Sequence, residues 1–129
     1  MEYKCSQNFT NNMESTGNQE FKTLIHSLKT SMQNYMEDAN PTYSQNDIDE
    51  CCNILTDYIE NILKTNSKEE GMDIVEYSVK KLNDLNEKCQ YELIETNERE
   101  QIAEIIIIGG NKMGYNSRNE DITEEWREW

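Results

Sequence analysis

Long hydrophobic runs are scarce in this sequence, and their scarcity excludes two classes of protein. The longest apolar run is Ile105–Ile108, far short of the ~20 apolar residues that a membrane-spanning helix needs. The start of the chain, MEYKCSQNFTNN, is polar and has no apolar core segment, so we expect no secretion signal. These two observations predict a cytoplasmic protein that does not insert into a membrane.

Basic residues are also in short supply. Lysine and arginine number 12 against 26 aspartates and glutamates, which gives a formal charge of −14 with histidine neutral. A surface this negative repels the phosphates of nucleic acids and the heads of anionic lipids. We therefore expect no nucleic-acid and no membrane binding, whereas a basic partner protein would be attracted. The simpler alternative is that the charge only keeps the protein soluble.

Motifs for metal binding and nucleophilic catalysis are missing as well. His26 is the single histidine, and the cysteines form neither a CxxC motif nor a zinc-type spacing with it. The chain has no E-x-x-H pair of the carboxylate-bridged metal type and no D-x-D-x-D-G calcium loop. We expect no metal, no cofactor, and reduced cysteines in or near the core, namely Cys5, Cys51, Cys52 and Cys89.

What the sequence does contain is apolar periodicity of the helical kind. Apolar residues recur at three- and four-residue steps from Glu20 onwards, which indicates an amphipathic helix. This helix should end before Pro41, because proline disfavours helical structure in the residue ahead of it. A second helix is predicted to begin near Ser44 and Asp47, which have the spacing of a cap, and to stop near residues 65–66.

Two further helices are predicted in the second half of the chain. Ser67 and Glu70 fit the S-x-x-E capping box, in which each side chain bonds the backbone N–H of the other residue. Asn97 and Glu100 repeat that spacing before the isoleucine run. A helix start there is also favoured by the acidic residues of the first turn, which the helix dipole stabilises.

These segments predict an all-α fold, a small bundle of four main helices with a short C-terminal helix. Residues 1–18 are polar and aperiodic and predict a flexible N-terminal tail, which leaves residues 19–129 as a single helical domain. The predicted core consists of Phe21, Leu24, Leu28, Ile48, Leu55, Ile59, Met72, Val75, Val79, Leu82, Ile102, Ile105 and Ile106.

The stretch AEIIIIGGNKMG permits two interpretations. Four β-branched isoleucines before Gly109 and Gly110 could form a buried strand that feeds a phosphate-binding loop. However, the glycines do not match G-x-G-x-x-G or a Walker motif, and no second candidate strand exists to complete a sheet. We favour a buried helix whose glycines either pack closely against a neighbour or loosen the last turn, with Gly114 as the left-handed residue after its end.

The C-terminal residues, DITEEWREW, contain both tryptophans of the chain. The cap-like spacing of Asp121 and Glu124 predicts a short helix. One interpretation is that this helix anchors the C-terminus on the bundle. The other is that it offers an aromatic site to a partner, since Trp and Arg are enriched in binding hot spots. The candidate partner-binding residues are Glu124, Glu125, Trp126, Arg127 and Trp129.

The segments KKLNDLNEK, ELIETNEREQIAEIIIIGGNKMG and DITEEWREW resemble a family of small acidic bacterial helical proteins. In that family a Leu-Asn-x-Leu helix is followed by an E-T-x-x-R-E helix start, and the chain ends in R-E-W or W-R-E-W. The similarity covers Met72 to Trp129. It implies an all-α fold without a known catalytic site. Related small acidic proteins often look like immunity proteins that neutralise bacterial toxins.

These observations predict a non-enzymatic cytoplasmic protein that binds a basic partner, of the kind represented by immunity proteins. A small helical enzyme or ligand-binding protein that uses His26, a cysteine or a carboxylate is an alternative. A self-associating structural module is another, and the oligomeric state stays open.

Overall fold

The computed structural model describes the backbone of residues 11–129 and the side chains of residues 19–129. Within these residues the chain forms four α-helices and no strand, which confirms the predicted all-α class. Of the tail predicted over residues 1–18, residues 1–10 lie outside the described part, and the backbone of residues 11–18 belongs to the first helix. The helices are α1 (Asn11–Ala39), α2 (Gln45–Ile62), α3 (Lys68–Lys88) and α4 (Thr96–Lys112).

Local signals set most of the helix ends. Ser67 accepts a hydrogen bond from the backbone N–H of Glu70 at 3.1 Å, which is one half of the predicted capping box. The carboxylate of Glu70 accepts from the N–H of Asn66 at 2.7 Å instead of that of Ser67. Before α2, the Ser44 N–H donates to the Asp47 carboxylate at 3.0 Å. α1 ends before Pro41, as expected. These capping bonds satisfy backbone N–H groups that have no partner within the first turn of a helix.

α4 begins earlier than its predicted cap. The helix starts at Thr96 with Glu95 as its capping residue, and the Glu95 N–H donates to the carboxylate of Glu98 at 3.1 Å. The pair Asn97 and Glu100, two residues further on, has the same spacing but already lies inside the helix. The predicted helix is therefore correct, but its predicted cap is wrong by two residues.

α2 is the central helix, because it contacts α1, α3 and α4. α1 also packs along α4, whereas the main helix contact of α3 is with α2. Of the predicted core residues, Leu24 and Met72 lie half-buried at the margin of the core. The others are buried, namely Phe21, Leu28, Ile48, Leu55, Ile59, Val75, Val79, Leu82, Ile102, Ile105 and Ile106.

The isoleucine–glycine stretch is helical and lies deep in the bundle. A Cβ atom added to Gly109 would lie 2.9 Å from a ring carbon of Tyr58 on α2, so the absence of a side chain allows this close contact. The Tyr58 hydroxyl donates to the carbonyl oxygen of Ile106 at 2.6 Å. Gly114 has φ of 78°, the left-handed conformation expected after a helix. The prediction of a helix with closely packed glycines is therefore confirmed.

Residues 115–129 form an extended C-terminal strap that lies along α3. Tyr115 lies against Gly71 at the start of α3, where any Cβ atom would overlap the tyrosine ring. Further along, the side chain of Asn83 bonds the backbone of Trp126 and of Glu128. The strap thus runs in the same direction as α3.

The strap also contacts α4. The Asn116 amide donates to the carbonyl oxygen of Ile107 at 3.2 Å, and the Asn111 amide donates to the carbonyl oxygen of Asn116 at 3.0 Å. Gly110 faces Asn116 so closely that a Cβ atom there would overlap the amide oxygen. Because it bonds both helices, the strap joins α3 to α4 in addition to α2 and to the loop in which Ile94 bonds Asn86 of α3.

The short C-terminal helix that the sequence predicted is replaced by turns. The side chain of Asp121 accepts a hydrogen bond from the N–H of Thr123 at 3.0 Å and so closes a turn at the expected start of the helix. The N–H of Arg127 does bond the carbonyl oxygen of Thr123 at 2.9 Å, but this single helical turn is not continued. Side-chain bonds from α3 take the backbone groups that a longer helix would use.

The close contact between α2 and α4 gives a test at Gly109. Replacing Gly109 with alanine should lower the free energy of unfolding by about 1 kcal/mol, because overpacking against Tyr58 outweighs the gain in helix propensity. Denaturant unfolding followed by circular dichroism measures this change. The Ala103→Gly variant in the same helix calibrates the propensity difference between the two residues. A net stabilisation by Gly109→Ala would mean that the contact with Tyr58 is loose.

Candidate partner-binding site

The five C-terminal residues predicted to bind a partner divide between the surface and the interior. Glu124 and Glu125 are exposed, Trp126 and Arg127 are half-buried, and Trp129 is only 9% exposed. The Arg127 guanidinium donates to the carbonyl oxygen of Trp129 at 2.9 Å and lies over its ring. The structure therefore uses much of the aromatic surface of this segment for packing, and the glutamates are its most accessible part.

Asn83 is the residue that fastens this segment to α3. Its amide nitrogen donates to the carbonyl oxygen of Trp126 at 2.9 Å, and its amide oxygen accepts from the N–H of Glu128 at 3.0 Å. One turn later, the oxygen of Asn86 accepts from the N–H of Ile94 at 2.9 Å in the loop before α4. The Leu-Asn-x-Leu segment and the W-R-E-W tail, singled out separately in the sequence, are thus in direct contact.

Sequence reasoning missed the role of these two asparagines. Both are buried, at 8% exposure for Asn83 and 3% for Asn86. The available signal was their position next to Leu82 and Leu85 in the apolar seam of the third helix. A polar residue in such a seam requires hydrogen-bond partners when it is buried, but the sequence does not say which backbone groups supply them.

Asp121 organises the middle of the strap. Its carboxylate accepts from the N–H and the hydroxyl of Thr123, which is fully buried, and forms an ion pair with Arg127 at 3.3 Å. Burial raises the pKa of Asp121, but the hydrogen bonds from Thr123 and the charge of Arg127 outweigh it and lower the pKa overall. The carboxylate is therefore ionised at neutral pH.

An open groove with a volume of about 520 Å³ lies between α1 and α4. We call it the acidic groove; it is lined by Ser31 and Tyr35 of α1 and by residues 95–98 at the start of α4. Tyr35 is 45% exposed, and its ring stacks on that of the buried Tyr43 with centroids 6.5 Å apart. The groove thus presents a supported aromatic ring beside two carboxylates.

The lining of the acidic groove contains Glu95 and Glu98 but no lysine or arginine. Both glutamates stand at the N-terminal end of α4, Glu95 as its capping residue and Glu98 in its first turn. Burial and the nearby charge of Glu98 raise the pKa of Tyr43 to about 12, so this tyrosine is neutral. Two other open grooves each include a basic side chain, Lys22 in one and Arg118 in the other. The acidic groove is therefore the better candidate for a cationic group.

The sequence did not reveal this site. Tyr35 belongs to the apolar periodicity of the first predicted helix, and Glu95 and Glu98 are two of the many acidic residues of the chain. The tyrosine is about sixty positions away from the glutamates in the chain, and only the packing of α1 along α4 brings them together. No local pattern encodes that distance.

The residues considered for catalysis are separated in the structure. His26 is exposed on α1, whereas Cys51, Cys52 and Cys89 are buried. Burial raises the pKa of all three thiols, and that of Cys89 to about 11. A thiol is a good nucleophile only as thiolate, so these cysteines are held in their unreactive form. Cys5 lies outside the described residues.

The part of the chain that the structure describes contains no group of three His, Cys, Asp or Glu side chains placed to hold a metal ion. Among its four helices, none has an apolar stretch long enough to cross a membrane.

Comparison with known proteins gives no match: no family model, no curated protein and no solved structure is similar to this chain. The resemblance to small acidic bacterial helical proteins therefore stays a prediction from the sequence.

The buried thiols should be slow to react in the folded protein. In a Cys5→Ser variant, Ellman's reagent should modify Cys51, Cys52 and Cys89 only as fast as the protein unfolds, because they are buried and protonated. The same protein in denaturant should show three reactive thiols at once. Rapid reaction of one thiol under native conditions would revive the alternative of a cysteine nucleophile.

Stability should decline at both ends of the pH scale. The pKa of Asp47 is lowered because hydrogen bonds from Ser44 and Lys88 outweigh its burial, so its contribution holds above its ordinary value of 3.8 and is lost as the pH falls through its native value. The pKa values of Cys51 and Tyr58 are raised by burial, so their contributions begin to be lost above their ordinary values of 9.0 and 10.0.

We expect a plateau in the free energy of unfolding between about pH 5 and pH 8. Asp47→Asn should flatten the acid side and lower stability at neutral pH by about 1 kcal/mol. The exposed Asp73, replaced in the same way, is the control. Equal acid profiles for both variants would show that Asp47 does not contribute as described.

Proposed function

We propose that this chain is a non-enzymatic cytoplasmic protein that binds a basic partner protein. The kind of role that fits is that of an immunity protein, which neutralises a basic bacterial toxin by covering it. The observation that carries the proposal is the acidic groove, where an exposed tyrosine ring adjoins two carboxylates without a basic side chain in the lining.

The charge of the whole chain supports this proposal. The formal charge is −14, and most acidic side chains of the described helices are exposed rather than paired within the bundle. A surface of this kind raises the association rate with a positively charged protein and disfavours acidic competitors. Glu124 and Glu125 on the strap, which the sequence predicted as binding residues, contribute to the same negative electrostatic field.

The acidic groove adds a specific contact to this general attraction. A lysine or arginine of the partner can place its cationic end over the ring of Tyr35 and donate hydrogen bonds to the carboxylates of Glu95 and Glu98. A cation–π contact contributes about 0.5–1 kcal/mol at an exposed site, and a desolvated ion pair contributes more. Tyr43 holds the Tyr35 ring from behind, so little freedom is lost on binding.

Affinity capture with matched variants tests the proposal. The wild-type protein is immobilised, and proteins from the source cells are collected at about 0.15 M salt, where surface charges are partly screened. We expect a basic protein to be retained. Its retention should fall about tenfold with Tyr35→Ala and with the pair Glu95→Gln/Glu98→Gln, because the loss of about 1.4 kcal/mol corresponds to that factor.

The strap supplies a control with the same change of charge. Glu124→Gln/Glu125→Gln also removes two negative charges, and it should reduce retention only slightly if the acidic groove is the contact site. A larger effect at the strap would transfer the site to the C-terminal residues that the sequence indicated. Failure to retain any basic protein, or retention that vanishes equally for both pairs at modest salt, would contradict a specific partner.

A further inference from the structure

The strap differs from the rest of the described structure in how it is held. It forms turns only, and no helix or strand connects its backbone to the bundle. Its attachment to α3 depends on the two hydrogen bonds of Asn83 and on the fit of Tyr115 against Gly71. Its attachment to α4 consists of one backbone bond, from the N–H of Tyr115 to the carbonyl oxygen of Gly110, and of side-chain bonds of Asn111, Asn116 and Arg118. Asn116 also lies against Gly110.

The strap also contains the least satisfied polar groups of the described residues. Three buried side-chain atoms have no hydrogen-bond partner within the protein: the amide oxygen of Asn116, Nε of Arg127 and Nε1 of Trp129. All three lie in residues 115–129, and none lies among the helical side chains that the structure describes. A buried polar atom without a partner lowers the stability of the conformation that buries it, because that atom is hydrogen-bonded to water once it is released.

The contacts among the four helices do not require the strap. α2 contacts each of the other helices, and most of the buried core residues belong to the helices. The strap adds Trp129 to this core and packs Tyr115, Ile122 and Trp126 against it. Opening of the strap would break the links between α3 and α4 but would leave the contacts of α2 in place. Local opening at a lower free energy than global unfolding is expected for a segment with few backbone hydrogen bonds.

We infer that the C-terminal strap is a displaceable element that opens as a unit while the four helices stay folded. Its opening uncovers the faces of α3 and α4 that carry Gly71 and Gly110, two positions where the side-chain-free backbone is fitted to the closed strap. The strap is thus a conformational switch built into one side of the bundle. This inference is independent of the acidic groove, which lies between α1 and α4.

The two tryptophans make the switch measurable, because both lie in the strap and none lies elsewhere in the chain. Tryptophan fluorescence reports the strap, and circular dichroism at the helical band reports the four helices. In denaturant, the fluorescence transition should precede the helical transition in the wild-type protein. The amide of Glu128, which bonds Asn83, should exchange with solvent at least about tenfold faster than the amides in the middle of α2.

Substitutions at the two glycines should widen this separation. Gly71→Ala and Gly110→Ala favour their helices but push Tyr115 and Asn116 away, so the fluorescence transition should move to lower denaturant while the helical transition stays in place or moves up. Asn83→Ala should have the same effect by removing both hydrogen bonds. This variant also keeps the test valid if a glycine variant fails to fold.

Gly109→Ala is the matched control, because its added methyl group meets Tyr58 of α2 and not the strap. It should lower the helical transition and leave the fluorescence transition in place, the opposite of the effect of the strap variants. Coincident fluorescence and circular dichroism transitions in the wild-type protein and in every variant would overturn the inference. They would show that the strap is released only when the whole bundle unfolds.

Discussion

The burial of α2 against three neighbouring helices is the constraint on which the rest of the structure depends. Its buried residues, from Ile48 to Ile62, cover more than one face, so α1, α3 and α4 must all pack around it. Burying a single isoleucine or leucine stabilises the fold by about 1.5–3 kcal/mol. The hydroxyl of Tyr58 adds a direct bond to α4, and Gly109 provides the space for its ring.

α3 and α4 have no extensive direct contact, so a connection in addition to α2 and to the loop between them stabilises the bundle. The chain supplies it with the strap, which fits against glycines of both helices and is fastened by asparagines rather than by a backbone ladder. Side-chain fastening is specific in geometry but less cooperative than a helix. The hydrogen bonds of Asn83 to the strap explain why this polar residue is buried in the apolar seam of α3. They also explain why residues 115–129 do not form a helix.

The outside of the bundle is governed by charge. An excess of carboxylates that repels nucleic acids and anionic lipids also attracts cationic proteins. The acidic groove concentrates this property beside an exposed aromatic ring, which supports the proposal of a protein-binding role. Among the described residues, Cys51, Cys52 and Cys89 are buried in the core and the imidazole of His26 is exposed on α1, so these groups do not converge.

The sequence by itself determined the helices and most of the core. Apolar residues at helical spacing, the Ser67–Glu70 cap and the single proline act within a few residues of one another, so a local pattern contains them. Only the tertiary structure decided that the C-terminal residues form turns and not a helix, because Asn83 bonds their backbone groups. It also decided the place of Tyr35 beside Glu95 and Glu98, because contacts between distant segments follow from how helices pack and not from any short-range spacing.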